Sequence, residues 1–157
     1  MSITLDGTTG ITTPDVETSD GAVYAKGNIL GTVSEDGGVP TGAIIERGSN
    51  ANGEFVRYAD GTQICWRNDF ALPFVTGLRV GANWTYPASF VTDGSVSVFH
   101  LPDSGGGASK GPDSYIATRF IIGSTSTSLQ AYRVEGTDGW VDGDVISTTA
   151  MGIGRWF

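Results

Sequence analysis

Only one of the 157 residues is cysteine, only one is histidine, and only nine are lysine or arginine. A lone Cys65 permits no internal disulfide; between apolar neighbours it reads as a small packed residue rather than a reactive thiol. One histidine and one cysteine cannot supply the three or four nitrogen and sulfur ligands of a zinc site. Nine cations against seventeen acids leave a formal net charge of −8 and a pI near 4.3. That balance excludes nucleic acid and anionic membrane surfaces as expected partners, because both require clustered Lys and Arg. No apolar run approaches the ~20 residues that cross a bilayer, so no membrane insertion is expected. No charged-then-apolar leader opens the sequence, so no cleaved secretory signal is expected. Helical periodicity is missing as well.

What is abundant is turn chemistry. Twenty-four glycines, six prolines and many Thr and Ser fit short strands joined by turns. The clearest stretch is Gly48–Arg67, GSNANGEFVRYADGTQICWR, where Phe55–Tyr58 and Gln63–Trp66 flank Asp60-Gly61. An Asp-Gly between such runs marks a β-hairpin. A two-residue turn would pair Tyr58 with Gln63 and mix apolar with polar residues on both faces. A three-residue loop, Ala59-Asp60-Gly61 with Gly61 left-handed, pairs Tyr58 with Thr62. It groups Val56, Tyr58, Ile64 and Trp66 on one face, with Phe55, Arg57, Gln63 and Cys65 on the other. The cleaner segregation selects the bulged loop.

Residues 1 to about 40 differ from the rest. They hold one aromatic, Tyr24, and six acids (Asp6, Asp15, Glu17, Asp20, Glu35, Asp36) against Lys26. Such a segment cannot bury enough apolar surface to fold alone. Two readings fit it: very short β-prone runs completed by copies from other chains, or a disordered linker. Val39-Pro40-Thr41-Gly42 reads as a turn or hinge, followed by a short strand over Ala43–Glu46. Downstream, strands are expected at Phe70–Phe74 (ending at a Pro73 bend), Ser95–Leu101, Tyr115–Ile122, Ser128–Glu135 and Val145–Phe157. The Ser128–Glu135 strand places Gln130, Tyr132 and Val134 on one face, with Leu129, Ala131 and Arg133 on the other. The last strand places Val145, Met151, Ile153 and Phe157 on one side. Six to eight short antiparallel strands without a helical period indicate an all-β fold, an antiparallel β-sandwich of about six strands.

Candidate chemistry is sparse. His100 accompanies no serine-nucleophile motif and reads as a packed or loop-anchoring residue. Gly105–Gly111, GGGASKG, lacks the Gly-Lys-Ser/Thr of a phosphate loop and links no strand to a helix. Paired carboxylates can hydrolyse glycosides at a set separation, and no spacing in this sequence singles out such a pair. The chain is therefore expected not to be an enzyme, and neither a cofactor nor a metal is expected. Two loops carry the binding candidates. In Gly136–Asp144, GTDGWVDGD, Trp140 stands between Asp138 and Asp142; an exposed indole beside carboxylates is what stacking on a pyranose and bonding its hydroxyls require. The alternative is that Trp140 packs at a subunit boundary or folds back over its own sheet. A cation held by Asp138, Asp142 and Asp144 is a third use, without EF-hand spacing. In Pro102–Ser114, Asp103, Lys110 and Asp113 sit in a Gly-rich surface loop, where recognition commonly resides.

Laid out this way, Gly42–Trp66, GAIIERGSNANGEFVRYADGTQICW, resembles the start of the C-terminal domain of bacteriophage tail fibres. It is similar to those encoded by prophages of Gram-negative bacteria. Asn83–Phe90, NWTYPASF, and Ala150–Phe157, AMGIGRWF, fit the same domain, and Ile3–Pro14, ITLDGTTGITTP, looks like the Gly/Thr repeats of fibre shafts. The head is similar in pattern to the H-type lectin fold, a six-stranded antiparallel sandwich that trimerises and binds sugars between protomers. The resemblance implies an extended, β-rich trimeric shaft or attachment segment over residues 1–41 and a sandwich head over 42–157. It also implies a homotrimer, attachment to another virion tail protein through residues 1–41, and a glycan of the host surface as ligand. The place of work would be the virion tail, after synthesis in the bacterial host cytoplasm. The single cysteine departs from secreted animal H-type lectins, which use disulfides, and their sugar ligands have no matching motif positions here. A purely structural tail or head assembly protein, without sugar binding, is the alternative.

Overall fold

A computed structural model of the chain describes residues 17–18, 21–22, 27–92, 97–102, 115–133 and 139–157. All regular structure in them is β-strand, and the named strands pair antiparallel throughout. Two two-residue ladders come first, β1 (Glu17–Thr18) with β2 (Gly21–Ala22) and β3 (Glu35–Asp36) with β4 (Val39–Pro40). The remaining strands make one eight-stranded sheet. They are β5 (Ile45–Asn50), β6 (Gly53–Tyr58), β7 (Thr62–Thr76), β8 (Arg79–Thr85), β9 (Ser97–Pro102), β10 (Tyr115–Ile122), β11 (Ser126–Arg133) and β12 (Val145–Arg155). The path runs β10-β11-β8-β7-β12-β9, with β6 joining β7 and β5 joining β6.

The hairpin at Asp60-Gly61 takes the three-residue loop. Arg57 stands opposite Gln63 and Val56 opposite Ile64, the register that brings Tyr58 to Thr62. Gly61 has φ +92°, its N–H donates to Tyr58 O at 3.0 Å, and Asp60 Oδ1 accepts from Thr62 N–H at 2.8 Å. That bond to Thr62 chiefly lowers the Asp60 carboxyl below its ordinary range.

One long strand, β7, ties the sheet together. Its first half pairs with β6 and β12; its last residues pair with β12 and β8. Gln63 and Cys65 turn inward at odd positions, then Phe70 and Leu72 at even ones. A bulge reconciles the two phases: Ala150 faces Arg67 and Thr148 faces Phe70, so Asn68 and Asp69 together oppose Thr149. Asp69 sits at φ +53°, the left-handed conformation that Asp tolerates better than most residues. The two runs expected as separate strands are thus one. Nor does Pro73 end it: Pro73 pairs with Val145. The Phe74 N–H points to β12, donating to Asp144 O at 2.8 Å. The Pro73 nitrogen therefore points the other way, beyond the point where β8 begins pairing at Phe74, and no ladder bond is lost.

Both halves of the sheet feed one core cluster, including Cys65, Phe70 and Leu72 from β7, Val80 and Trp84 from β8, Leu129 and Ala131 from β11, and Ile146 and Ala150 from β12. Trp84, Tyr86 and Phe90 stack edge to face at 5.1 and 4.9 Å between ring centres, a favoured arrangement of ring quadrupoles. Leu129 and Ala131 are the buried face of β11, while Gln130 and Tyr132 look outward. On β12 the core side is Ile146, Thr148 and Ala150. Met151 and Ile153, expected to share a side, do so on the opposite face, joined by Ile64, Trp66, Val56 and Tyr58.

Gln63 is fully buried and satisfied on every side. Its Nε2 donates to Ala88 O at 2.9 Å and Ser89 O at 3.2 Å, and its Oε1 accepts from Arg57 Nε at 2.7 Å. Asn50 Nδ2 donates to Pro87 O, and Trp84 Nε1 to Asn52 O, each at 2.9 Å. The segment Tyr86–Phe90 is thereby stitched to the β5–β6–β7 hairpins.

Upstream, the turn lies at Gly37-Gly38, both at positive φ, not at Val39–Gly42, whose first two residues form β4. Main-chain bonds from Thr41 N to Ser34 O and Ala43 N to Thr32 O extend this hairpin, and beyond it Leu30 meets Ile45 in an isolated parallel bridge, with Gly31 N donating to Ile45 O. Thr41 lies within the hairpin. The strand expected over Ala43–Glu46 starts later and runs further, as β5. The last strand starts at Val145 as expected and ends at Arg155, two residues early; β11 starts at Ser126, and its expected end at Glu135 lies outside the described residues.

Replacing Gln63 with Ala leaves Arg57 Nε and the carbonyls of residues 88 and 89 without their partner. Urea denaturation is expected to show a loss of about 2–4 kcal/mol with an unchanged slope. Burial pushes the Cys65 thiol up from 9.0 to about 11. The unfolded chain therefore loses this proton first, and the contribution is intact below pH 9 and falls away between pH 9 and 11. Stability measured at pH 8 and pH 10.5 should drop less for Cys65→Ala than for the wild type.

Candidate functional site

The loop richest in binding candidates is used for folding. Trp140 is only 3% exposed and belongs to the core cluster; its main-chain N–H donates to Gly77 O at 3.0 Å, while its indole Nε1–H is buried without a hydrogen-bond partner among the described residues. Of the two readings of this ring, the structure shows the one in which it folds back over its own sheet, and the exposed indole is not there. Those neighbours report on the backbone, which turns tightly at Gly143 (φ +91°), while the ring is drawn into apolar surroundings. Asp144 is buried, its Oδ2 accepting from Val141 N–H at 2.8 Å and its own N–H donating to Val141 O at 3.0 Å. It fastens the turn. Asp142 is exposed on that turn, and Asp138 lies outside the described residues, as do Asp103, Lys110 and Asp113 of the other loop. Among the described residues no group of three or more His, Cys, Asp and Glu is assembled for a metal. No helix among them is long and apolar enough to cross a membrane.

A different set of residues makes a site. Along β8, Val80 and Trp84 turn inward and leave Arg79, Gly81 and Asn83 on the other side; along β11, Leu129 and Ala131 leave Ser128, Gln130 and Tyr132 there. The β8–β11 register sets Arg79 opposite Tyr132, Gly81 opposite Gln130 and Asn83 opposite Ser128. Gly81 is needed at its position, because a Cβ there would lie 2.9 Å from Leu129 O and 3.1 Å from Gln130 Cγ. The Gln130 chain lies down across that gap. The result is a shallow groove of about 240 Å³ lined by Val75, Arg79, Ala82, Asn83, Ser128 and Gln130, with Gly81 between them.

Its polar groups are held in advance. Arg79 Nη1 donates to Gln130 Oε1 at 3.1 Å and to Tyr132 Oη at 3.4 Å. Tyr132 Oη donates to Gln130 Oε1 at 2.9 Å, and Gln130 Nε2 to Ser128 Oγ at 3.2 Å. Such a network fixes side chains that otherwise lose rotamer freedom on binding. The lining offers amide, hydroxyl and guanidinium groups, which suit a hydroxylated ligand, and neither carboxylate nor imidazole for acid–base work. A second groove, about 400 Å³ between Leu30–Thr32 and Ile45–Arg47, is larger. Its Glu46 is already engaged by Val33 N–H at 3.2 Å and by Arg57 at 4.0 Å.

Sequence reasoning placed Gln130 and Tyr132 on a common face but did not reach the groove. Arg79 carries no motif, and β8 and β11 are brought together across more than forty residues. The one available signal was the alternation itself, polar on one side of both strands.

Trp140→Ala is expected to behave as a core deletion, costing about 3–5 kcal/mol in a denaturant titration, whereas Asp142→Ala on the exposed turn should leave the midpoint essentially unchanged. No family model, curated protein or solved structure matches the chain.

Proposed function

We propose that the chain is the distal part of a phage tail fibre, a virion component that recognises a glycan on the host surface. In this reading the head is an antiparallel β-sandwich, its two layers being the β5-β6-β7-β12-β9 and β10-β11-β8 parts of the sheet. Residues 1–41 attach it to another tail protein. The head acts as a homotrimer and has no catalytic role.

The observation that carries the reading is the preassembled polar groove at Arg79, Gln130 and Ser128. A groove this small takes one sugar ring rather than a long chain. Contacts of that kind are individually weak, and three copies on one particle gain avidity, by about 10²–10⁴ where geometry allows joint engagement. Assembly into a trimer is supported by the outward face of β6, β7 and β12. There Tyr58, Ile64, Trp66, Met151 and Ile153 form a partly exposed apolar surface opposite the core, beside the buried Val56. The same face favours the second reading, a structural tail or head protein held by that surface and binding no sugar.

Two measurements on the full chain separate these readings. Light scattering should give three times the chain mass for the wild type and the monomer mass for Trp66→Glu. Binding to host-cell polysaccharide should be lost in Gln130→Ala while the trimer persists. A trimer that binds no host polysaccharide would leave the structural reading standing.

A further inference from the structure

We infer that Arg79 makes the groove selective for a sugar residue bearing a carboxylate, an inference that rests on the glycan-binding reading above. The guanidinium is anchored through one of its three nitrogens only, with Nη1 engaged by Gln130 Oε1 and Tyr132 Oη. Among the described residues no hydrogen bond uses Nη2 or Nε, and no carboxylate pairs with Arg79. In a chain of net charge −8, carboxylates are the commonest charged side chains, so a groove-lining arginine that pairs with none of the described carboxylates stands out.

The chemistry of the remaining edge identifies the ligand group. Nη2–H and Nε–H form a planar fork whose two parallel donors match the two oxygens of a carboxylate. Held from behind by Gln130 and Tyr132, that fork spends little rotamer entropy on binding. Gln130 Oε1 already accepts two hydrogen bonds, so it adds no competing acceptor. The Asn83 amide on the exposed rim and the Ser128 hydroxyl remain for ring hydroxyls. The chain's overall negative charge repels a densely anionic polymer at long range, and salt screens that repulsion over about 10 Å. An isolated uronic acid in an otherwise neutral glycan meets the fork without incurring that repulsion.

The test compares three ligands by calorimetry on the full-length protein: a glucuronate-terminated oligosaccharide, its methyl ester, and the same oligosaccharide with a terminal sugar phosphate. The acid should bind about tenfold or more tightly than the ester, as expected for a charge-assisted bidentate pair, and more tightly than the phosphate. In Arg79→Gln the acid and the ester should bind alike, with the denaturation midpoint retained as the check on folding. Equal binding of acid and ester by the wild type would overturn the carboxylate assignment and leave glycan recognition intact. Stronger binding of the phosphate would likewise overturn it. Binding of none of the three, together with no binding to host polysaccharide, would remove the glycan reading itself.

Discussion

The buried amide of Gln63 is the contact on which the arrangement turns. An amide inside an apolar cluster is costly unless each of its donors and acceptors is used, and here all are. Because its partners are the carbonyls of residues 88 and 89 and the guanidinium of Arg57, satisfying it forces three separate pieces of chain together. They are the β6 strand, the β7 strand and the connection that follows β8. That connection carries Tyr86 and Phe90, whose rings continue the stack from Trp84. A polar requirement thus sets where the aromatic core closes, and β8 is delivered to the position from which it meets β11.

The local features were legible in residues alone. The bulged loop follows from the wish to keep Val56 and Ile64 off the face of Arg57 and Gln63, and the alternation in β11 follows from Leu129 and Ala131. What remained out of reach was which face would be buried. Val56, Tyr58, Ile64 and Trp66 form the more apolar side of the hairpin. The core nevertheless takes the side of Phe55, Gln63 and Cys65, because Gln63 finds partners there that lie more than twenty residues away. Local hydrophobicity cannot foresee a hydrogen bond of that range. Most of the apolar side, the buried Val56 excepted, is left outward.

Trp140 failed as a candidate for a related reason. Glycines and acids describe a turn, and a turn says nothing about where a large ring will go once Gly139 lets its backbone approach Gly77. The groove at Arg79 was invisible for the converse reason: each residue in it is ordinary, and only the pairing of β8 with β11 makes them neighbours. Sites on sheets are written in register, and register between distant strands is the least local property of a chain.

The bulged strand β7 has a consequence for biosynthesis. Its longest ladder is with β12, whose first residue, Val145, is made some seventy residues after β7 is complete. Throughout that interval the nascent chain carries a long β7 edge, apolar at several positions, with its main partner still unmade. Unpaired edges of this kind invite association with other chains. In the finished sheet the bulge at Asn68-Asp69 breaks the flat run of β7, the kind of interruption by which natural sheets blunt such edges.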